Sequence, residues 1–192
     1  MEVLLEKLIR EQEDIFKPLT FEEWVDRMIS AGIWTKNIDS TYSAEGDVDL
    51  SDKNLTKIPI KFKEVGKGFY CEDNQLTTLE GAPQKVGGDF YCHNNQLVTL
   101  EGAPKEVGGD FFCSGNQLTT LKGAPQKVGK DFDCEYNQLT ILEGAPQKVG
   151  RDFYCDYNQL TTLEGIGIVK GAIHCSDNPV PEKELLRTIG RN

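Results

Sequence analysis

The chain has 192 residues, 38% hydrophobic and 27% charged, with 31 acids against 21 bases and a formal net charge of −10. That balance argues against a nucleic-acid-binding protein, which would carry a basic footprint. No apolar run approaches the ~18 residues that a membrane-spanning helix needs.

Residues 1–45 predict an N-terminal helical cap. Leu4, Leu5, Leu8, Ile9, Ile15 and Phe16 recur at helical spacing, and Pro18 ends that helix. A second helix opens on Thr20 as N-cap, with Glu23 three residues on for a capping box and Leu19 placed to staple against Trp24. Val25, Met28 and Ile29 share one face, and Gly32 supplies the stop. Ile33 and Trp34 are then expected to close over the first coil of the repeat region, and residues 36–47 read as a polar linker. The charged, helical opening Met1-Glu2-Val3-Leu4-Leu5-Glu6 is unlike a secretory signal, so the expected location is the cytoplasm, which for a phage-encoded chain means the host's.

Residues 46–180 are dominated by a 21-residue period. Asn-Gln-Leu recurs at Asn74, Asn95, Asn116, Asn137 and Asn158, inside the longer string V-G-x-D-F-Y-C-x-x-N-Q-L-x-x-L-x-G-A-P. A fixed period of this length means a solenoid, in which a single coil cannot bury its own apolar face. Phe90, Cys92, Asn95, Leu97 and Leu100 illustrate one unit. Strand alternation turns Phe90 and Cys92 inward and Tyr91 outward. The column Asn74, Asn95, Asn116, Asn137, Asn158 and Asn178 is expected inside the coil, satisfying backbone groups where the chain leaves the strand. Leu-x-Gly-Ala-Pro is too punctuated for a helix and predicts extended or turn-rich structure.

The end coils are degenerate. Val48, Leu50, Leu55, Ile58 and Val65 fill the core slots of the first, with Lys53 at the asparagine position. Ile173, Cys175, Asn178 and Val180 form the last, which is one residue short. Seven strands result, a stack roughly 29 Å long. Residues 181–192, opening on Pro181 with Leu185, Leu186 and Ile189 on one face, predict a short C-terminal capping helix.

The pattern Phe-x-Cys-x-x-Asn-x-Leu resembles the leucine-rich repeat, in the short 21-residue form of uncharacterised bacteriophage and bacterial repeat proteins; Phe21-Glu-Glu-Trp-Val-Asp-Arg-Met28 looks phage-like as well. The resemblance implies an α+β solenoid with parallel strands on a concave face, and a binding role. It implies no particular partner.

Six cysteines, Cys71, Cys92, Cys113, Cys134, Cys155 and Cys175, lie 20 or 21 residues apart. Zinc sites normally draw on closely spaced pairs, and disulfides need Cβ atoms about 3.8 Å apart, closer than the ~4.8 Å between strands. A buried column of reduced thiols is therefore expected, with no metal and no cofactor. The acids Asp89, Asp110, Asp131 and Asp152 beside Lys85, Lys127, Lys148, Lys130 and Arg151 predict surface ion-pair ladders. His93 and His174 stand too far apart to cooperate, and no P-loop, metalloprotease or nucleophile-elbow motif occurs. No catalysis is expected.

The outward positions of the strands are free for function. Tyr70, Glu72, Asp73, Tyr91, His93, Phe112, Asp133, Glu135, Tyr136, Tyr154, Asp156 and Tyr157 place aromatics among acids, with no lysine or arginine between them. Such a surface suits a protein partner with a basic face. The expectation is a non-enzymatic protein-binding module, in its sharpest form a phage protein that blocks a host defence factor. A virion or assembly component, or a small-ligand binder using the tyrosine column, are the alternatives.

Overall fold

The computed structural model describes residues 20–181, and the chain divides between Trp34 and Thr35 into two compact units. The expected helix over Leu4–Phe16, the Leu19 staple and the C-terminal capping helix lie outside the described residues.

In the first unit, helix α1 (Phe21–Ser30) begins as its sequence dictates. Thr20 Oγ1 accepts from Glu23 N at 3.3 Å, and Glu23 Oε2 accepts from Thr20 N at 2.8 Å. The helix ends in a Schellman turn: Gly32 at φ 69° donates to Ile29 O, and Ile33 donates to Met28 O, each at 2.9 Å. Val25 is buried, Met28 and Ile29 are half-buried, and Trp24 meets Trp34 edge-on at 4.8 Å. Ile33 departs from expectation. It is 48% exposed, because the Schellman turn directs it outward while Trp34 takes the buried place.

The second unit is a parallel β-solenoid with two sheets. Strand β1 (Trp34–Lys36) ends where the stretch read as a polar linker begins, and β2 (Tyr42–Ala44) lies inside that stretch. The turn between them is held by Asn37, whose Nδ2 reaches Thr41 Oγ1 and Ser43 Oγ, both at 3.0 Å. Polar residues here build a turn rather than a tether, and β2 pairs in parallel with β4.

Thereafter each coil contributes two short strands: β3 (Val48–Asp49), β4 (Phe62–Val65), β5 (Phe69–Tyr70), β6 (Lys85–Val86), β7 (Phe90–Tyr91), β8 (Glu106–Val107), β9 (Phe111–Phe112), β10 (Lys127–Val128), β11 (Phe132–Asp133), β12 (Lys148–Val149), β13 (Phe153–Tyr154), β14 (Ile168–Val169) and β15 (Ile173–His174). The odd strands from β3 to β15 form the expected seven-stranded sheet. The even strands, with β1 at the edge, form a second sheet of eight. The turn-rich expectation holds for Leu-x-Gly-Ala-Pro, where Ala82, Ala103, Ala124 and Ala145 donate back to the leucines three residues earlier. Register advances by 21 residues per coil, Phe111 on Phe132 for example, and by 20 at the last step, Phe153 on Ile173.

The core is a set of like-on-like columns. Phe69, Phe90, Phe111, Phe132 and Phe153 stack with ring centroids 5.0–5.5 Å apart, all fully buried. Facing them are Ala44, Val65, Val86, Val107, Val128 and Val149 from the second sheet, with paired leucines between. In the first coil Val48, Leu50, Ile58 and Val65 are buried and Leu55 half-buried.

The asparagine column has the expected role. Asn116 Oδ1 accepts from Leu97 N of the preceding coil at 3.0 Å, while Nδ2 donates to Cys92 O at 3.0 Å and Cys113 O at 3.1 Å. Each asparagine thus reaches backwards along the stack. Lys53, in the first coil of this sheet, has no preceding coil of that sheet to serve; its own N–H is received by Asn74 Oδ1 at 3.1 Å.

Candidate functional site

The outer face of the seven-stranded sheet carries three side-chain columns. Nearest the strand centre run Asp49, Tyr70, Tyr91, Phe112, Asp133, Tyr154 and His174. Tyr70 meets Tyr91 edge-on at 5.3 Å, and Tyr91 stacks on Phe112 at 4.7 Å and 4°. Asp133 interrupts the aromatic run, which resumes with Tyr154 stacked on His174 at 4.5 Å. All but Asp49 and His174 are half-buried, so the rings support one another and still present an edge outward.

Asp133 is anchored as well as half-buried: Oδ2 accepts from Ser114 Oγ and Oδ1 from Glu135 N, each at 2.9 Å. Burial nevertheless raises its pKa against those hydrogen bonds. Burial also raises the phenols of Tyr70 and Tyr91, helped by carboxylates nearby.

The second column holds Ser51, Glu72, His93, Ser114, Glu135, Asp156 and Ser176. Glu72 Oε2 and His93 Nδ1 are shielded from solvent without a hydrogen-bond partner, and burial raises the Glu72 carboxyl. Asp156 is buried and accepts from Ser176 N at 2.6 Å. Beside it, Glu135 is pushed up to about 7 by burial and by the hydrogen bond it shares with the Asp156 carboxyl.

The third column, Asp52, Asp73, Asn94, Gly115, Tyr136, Tyr157 and Asp177, has a geometry that sequence reasoning missed. Every member has left-handed backbone, with φ between 51° and 62°. Asp, Asn and Gly suit this position, where the chain leaves the strand just before the buried asparagine. Tyr136 and Tyr157 do not, and each costs on the order of 1–2 kcal/mol there. The signal was readable: five of the seven residues are Asp, Asn or Gly. The two tyrosines stack with centroids 4.3 Å apart, 56% and 47% exposed.

The predicted residues therefore fall into two groups on one face. Tyr70, Glu72, Asp73, Tyr91, His93 and Phe112 lie together on β5, β7, β9 and the turns after them. Asp133, Glu135, Tyr136, Tyr154, Asp156 and Tyr157 lie together on β11, β13 and the turns after those strands.

The charged ladder is built differently from expectation. The aspartates serve backbone first: Asp89, Asp110 and Asp131 each accept, through Oδ1, from the backbone N–H of the aspartate one coil on, at 2.8–2.9 Å. Lys130 bridges Asp89 at 3.1 Å and Asp110 at 3.5 Å, and Arg151 approaches Asp131 at 3.7 Å. Lys85, Lys127 and Lys148 instead stand on the second sheet, Lys85 and Lys127 both in register with Glu106. Exposed pairs of this kind contribute at most about 1 kcal/mol.

Cys71, Cys92, Cys113, Cys134 and Cys155 are free and buried, and Cys175 is half-buried. Burial raises all six thiols. Cys71, Cys113, Cys134 and Cys155 donate to a carbonyl of the next coil at 3.2–3.3 Å. No helix among the described residues is long and apolar enough to cross a membrane. No protein-family model matches the chain, and neither does any curated protein.

Proposed function

We propose that this chain is a non-enzymatic protein-binding module of the leucine-rich-repeat type, and that it holds its partner on the outer face of the seven-stranded sheet. The observation that carries this reading is the composition of that face: stacked, half-exposed aromatics beside carboxyl groups, with no lysine or arginine in its three columns. Rings already held by their neighbours lose little freedom on contact, which favours them as anchors. The excess of carboxyl groups in those columns selects a partner with a basic surface and speeds its approach.

The test uses the intact chain as bait in a bacterial lysate. The expected result is one stoichiometric protein, lost with Tyr91→Ala or Tyr154→Ala, for which about 2 kcal/mol or more is typical of a buried aromatic anchor. Gln126→Ala, exposed ahead of β10 in the other sheet, should change nothing. Capture that survives both tyrosine changes and fails with Gln126→Ala would overturn the reading. Recovery only with assembled virions would favour a structural role.

A further inference from the structure

At the middle of the left-handed column, Gly115 is followed by Tyr136 and Tyr157. Tyr157 covers one face of the Tyr136 ring at 4.3 Å and 10° from parallel. The other face of that ring looks towards the preceding coil, where Gly115 offers no side chain. One coil further back, Asn94 leans over the gap. Its Oδ1 lies 2.5 Å from where a Gly115 Cβ would stand, while its Nδ2 donates to Asp73 Oδ1 at 2.8 Å. The result is a notch with an aromatic face on one side and an amide oxygen on the other; because that oxygen leans into the Gly115 position, the notch is narrower than the ~9.6 Å of two strand spacings.

Neither wall is needed for the coil. Asp, Asn or Gly would hold the backbone at position 136 with less strain than tyrosine does, as they do at 73, 94 and 115. An outlier kept against its local preference points to a use outside the fold.

We propose that this notch receives an arginine side chain of the protein partner, its guanidinium flat against Tyr136 and donating to Asn94 Oδ1. The assignment rests on the sheet face being the protein-binding surface, and it names the side chain that this face selects. A guanidinium is planar, weakly hydrated and carries five donors, so it can stack and donate at once; a lysine ammonium is a compact, strongly hydrated point charge. Charge complementarity points the same way, since the three outward columns carry eight carboxyl groups and no lysine or arginine. A neutral apolar occupant would cover the Asn94 oxygen and give it no donor.

The test is an NMR titration of the whole chain with the capped peptide Gly-Gly-Arg-Gly-Gly and its lysine and citrulline counterparts. The arginine peptide should give saturable shifts at the Gly115 amide, the Asn94 side-chain amide and the Tyr136 ring. Lysine and citrulline should bind about tenfold more weakly. Gly115→Asn fills the notch with a residue that tolerates the same backbone, and Tyr136→Asn removes the ring wall; each should weaken arginine binding about tenfold. Equal binding of the three peptides, shifts centred on Tyr70, Tyr91 and Phe112, indifference to both variants, or no saturable shift at millimolar peptide would overturn the assignment. The lysate partner separates the two levels. If it is lost with Tyr91→Ala and Tyr154→Ala but kept by Gly115→Asn and Tyr136→Asn, the notch is wrong and the face is right. If those four variants all retain it and Gln126→Ala loses it, the face itself is wrong.

Discussion

A single side chain closes the hydrogen bonding of two neighbouring coils. Asn116 receives the Leu97 amide and donates to the Cys92 and Cys113 carbonyls, while itself buried. In Asn116→Ala the Cys92 and Cys113 carbonyls keep the side-chain amides of Asn95 and Asn137, but the buried Leu97 N–H loses its partner, so the thermal midpoint should fall by an amount equivalent to roughly 1–3 kcal/mol. An unchanged midpoint would mean that water replaces the amide. The cysteines make the complementary point. Their thiols are small enough to fill the strand interior, and burial disfavours the thiolate.

At the scale of the element, glycine permits coils to approach closely. Gly66, Gly87, Gly108, Gly129 and Gly150 form a column flanking the second sheet, and a Cβ at Gly129 would run into the Gly108 carbonyl oxygen. Backbone cannot give way as a flexible side chain can. Gly129→Ala should therefore destabilise by roughly 3 kcal/mol, whereas Lys130→Ala next to it, breaking only exposed ion pairs, should cost under about 1 kcal/mol. Chemical denaturation of the two variants measures the contrast; equal losses would refute the close approach. This column also explains why the second sheet was hard to read. Its middle strands, β6, β8, β10 and β12, are two residues long, Lys-Val or Glu-Val, and followed by glycine. So short a segment has no period of its own to detect; it becomes a strand because a similar segment lies 21 residues away.

Over the whole molecule, charge is the adjustable quantity. Burial raises the carboxyls of Glu72 and Asp133, and Glu135 is pushed up to about 7 from an ordinary 4.5 by burial and by Asp156. A carboxyl raised on folding binds its proton more tightly in the folded state. Its contribution is fully present below about 4.5 and lost as pH rises through about 7. Asp49, lowered chiefly by its hydrogen bond from Ser51, acts in the opposite sense, but only below about 4. The melting midpoint should therefore fall between about pH 5 and pH 8, with a smaller fall in Glu135→Gln. A midpoint that is flat or rises over that range would show that the Glu135–Asp156 contact does not form.

The 21-residue period alone determined the solenoid, the seven-stranded sheet, the inward Phe and Cys columns, the asparagine column and the outward position of the aromatics. These features come from alternation along a strand and from copies held in register, both visible in a string of letters. Tertiary structure alone decided the second sheet, the strands in residues 34–44, the exposure of Ile33 and the use of the aspartates as backbone acceptors. Apart from Ile33, whose exposure follows from the turn that ends α1, each depends on which groups of a neighbouring coil come within hydrogen-bond reach. The gap over Gly115 belongs there too: the sequence names Asn94, Gly115 and Tyr136 at 21-residue intervals, but only stacking the coils turns a missing side chain into a space with walls.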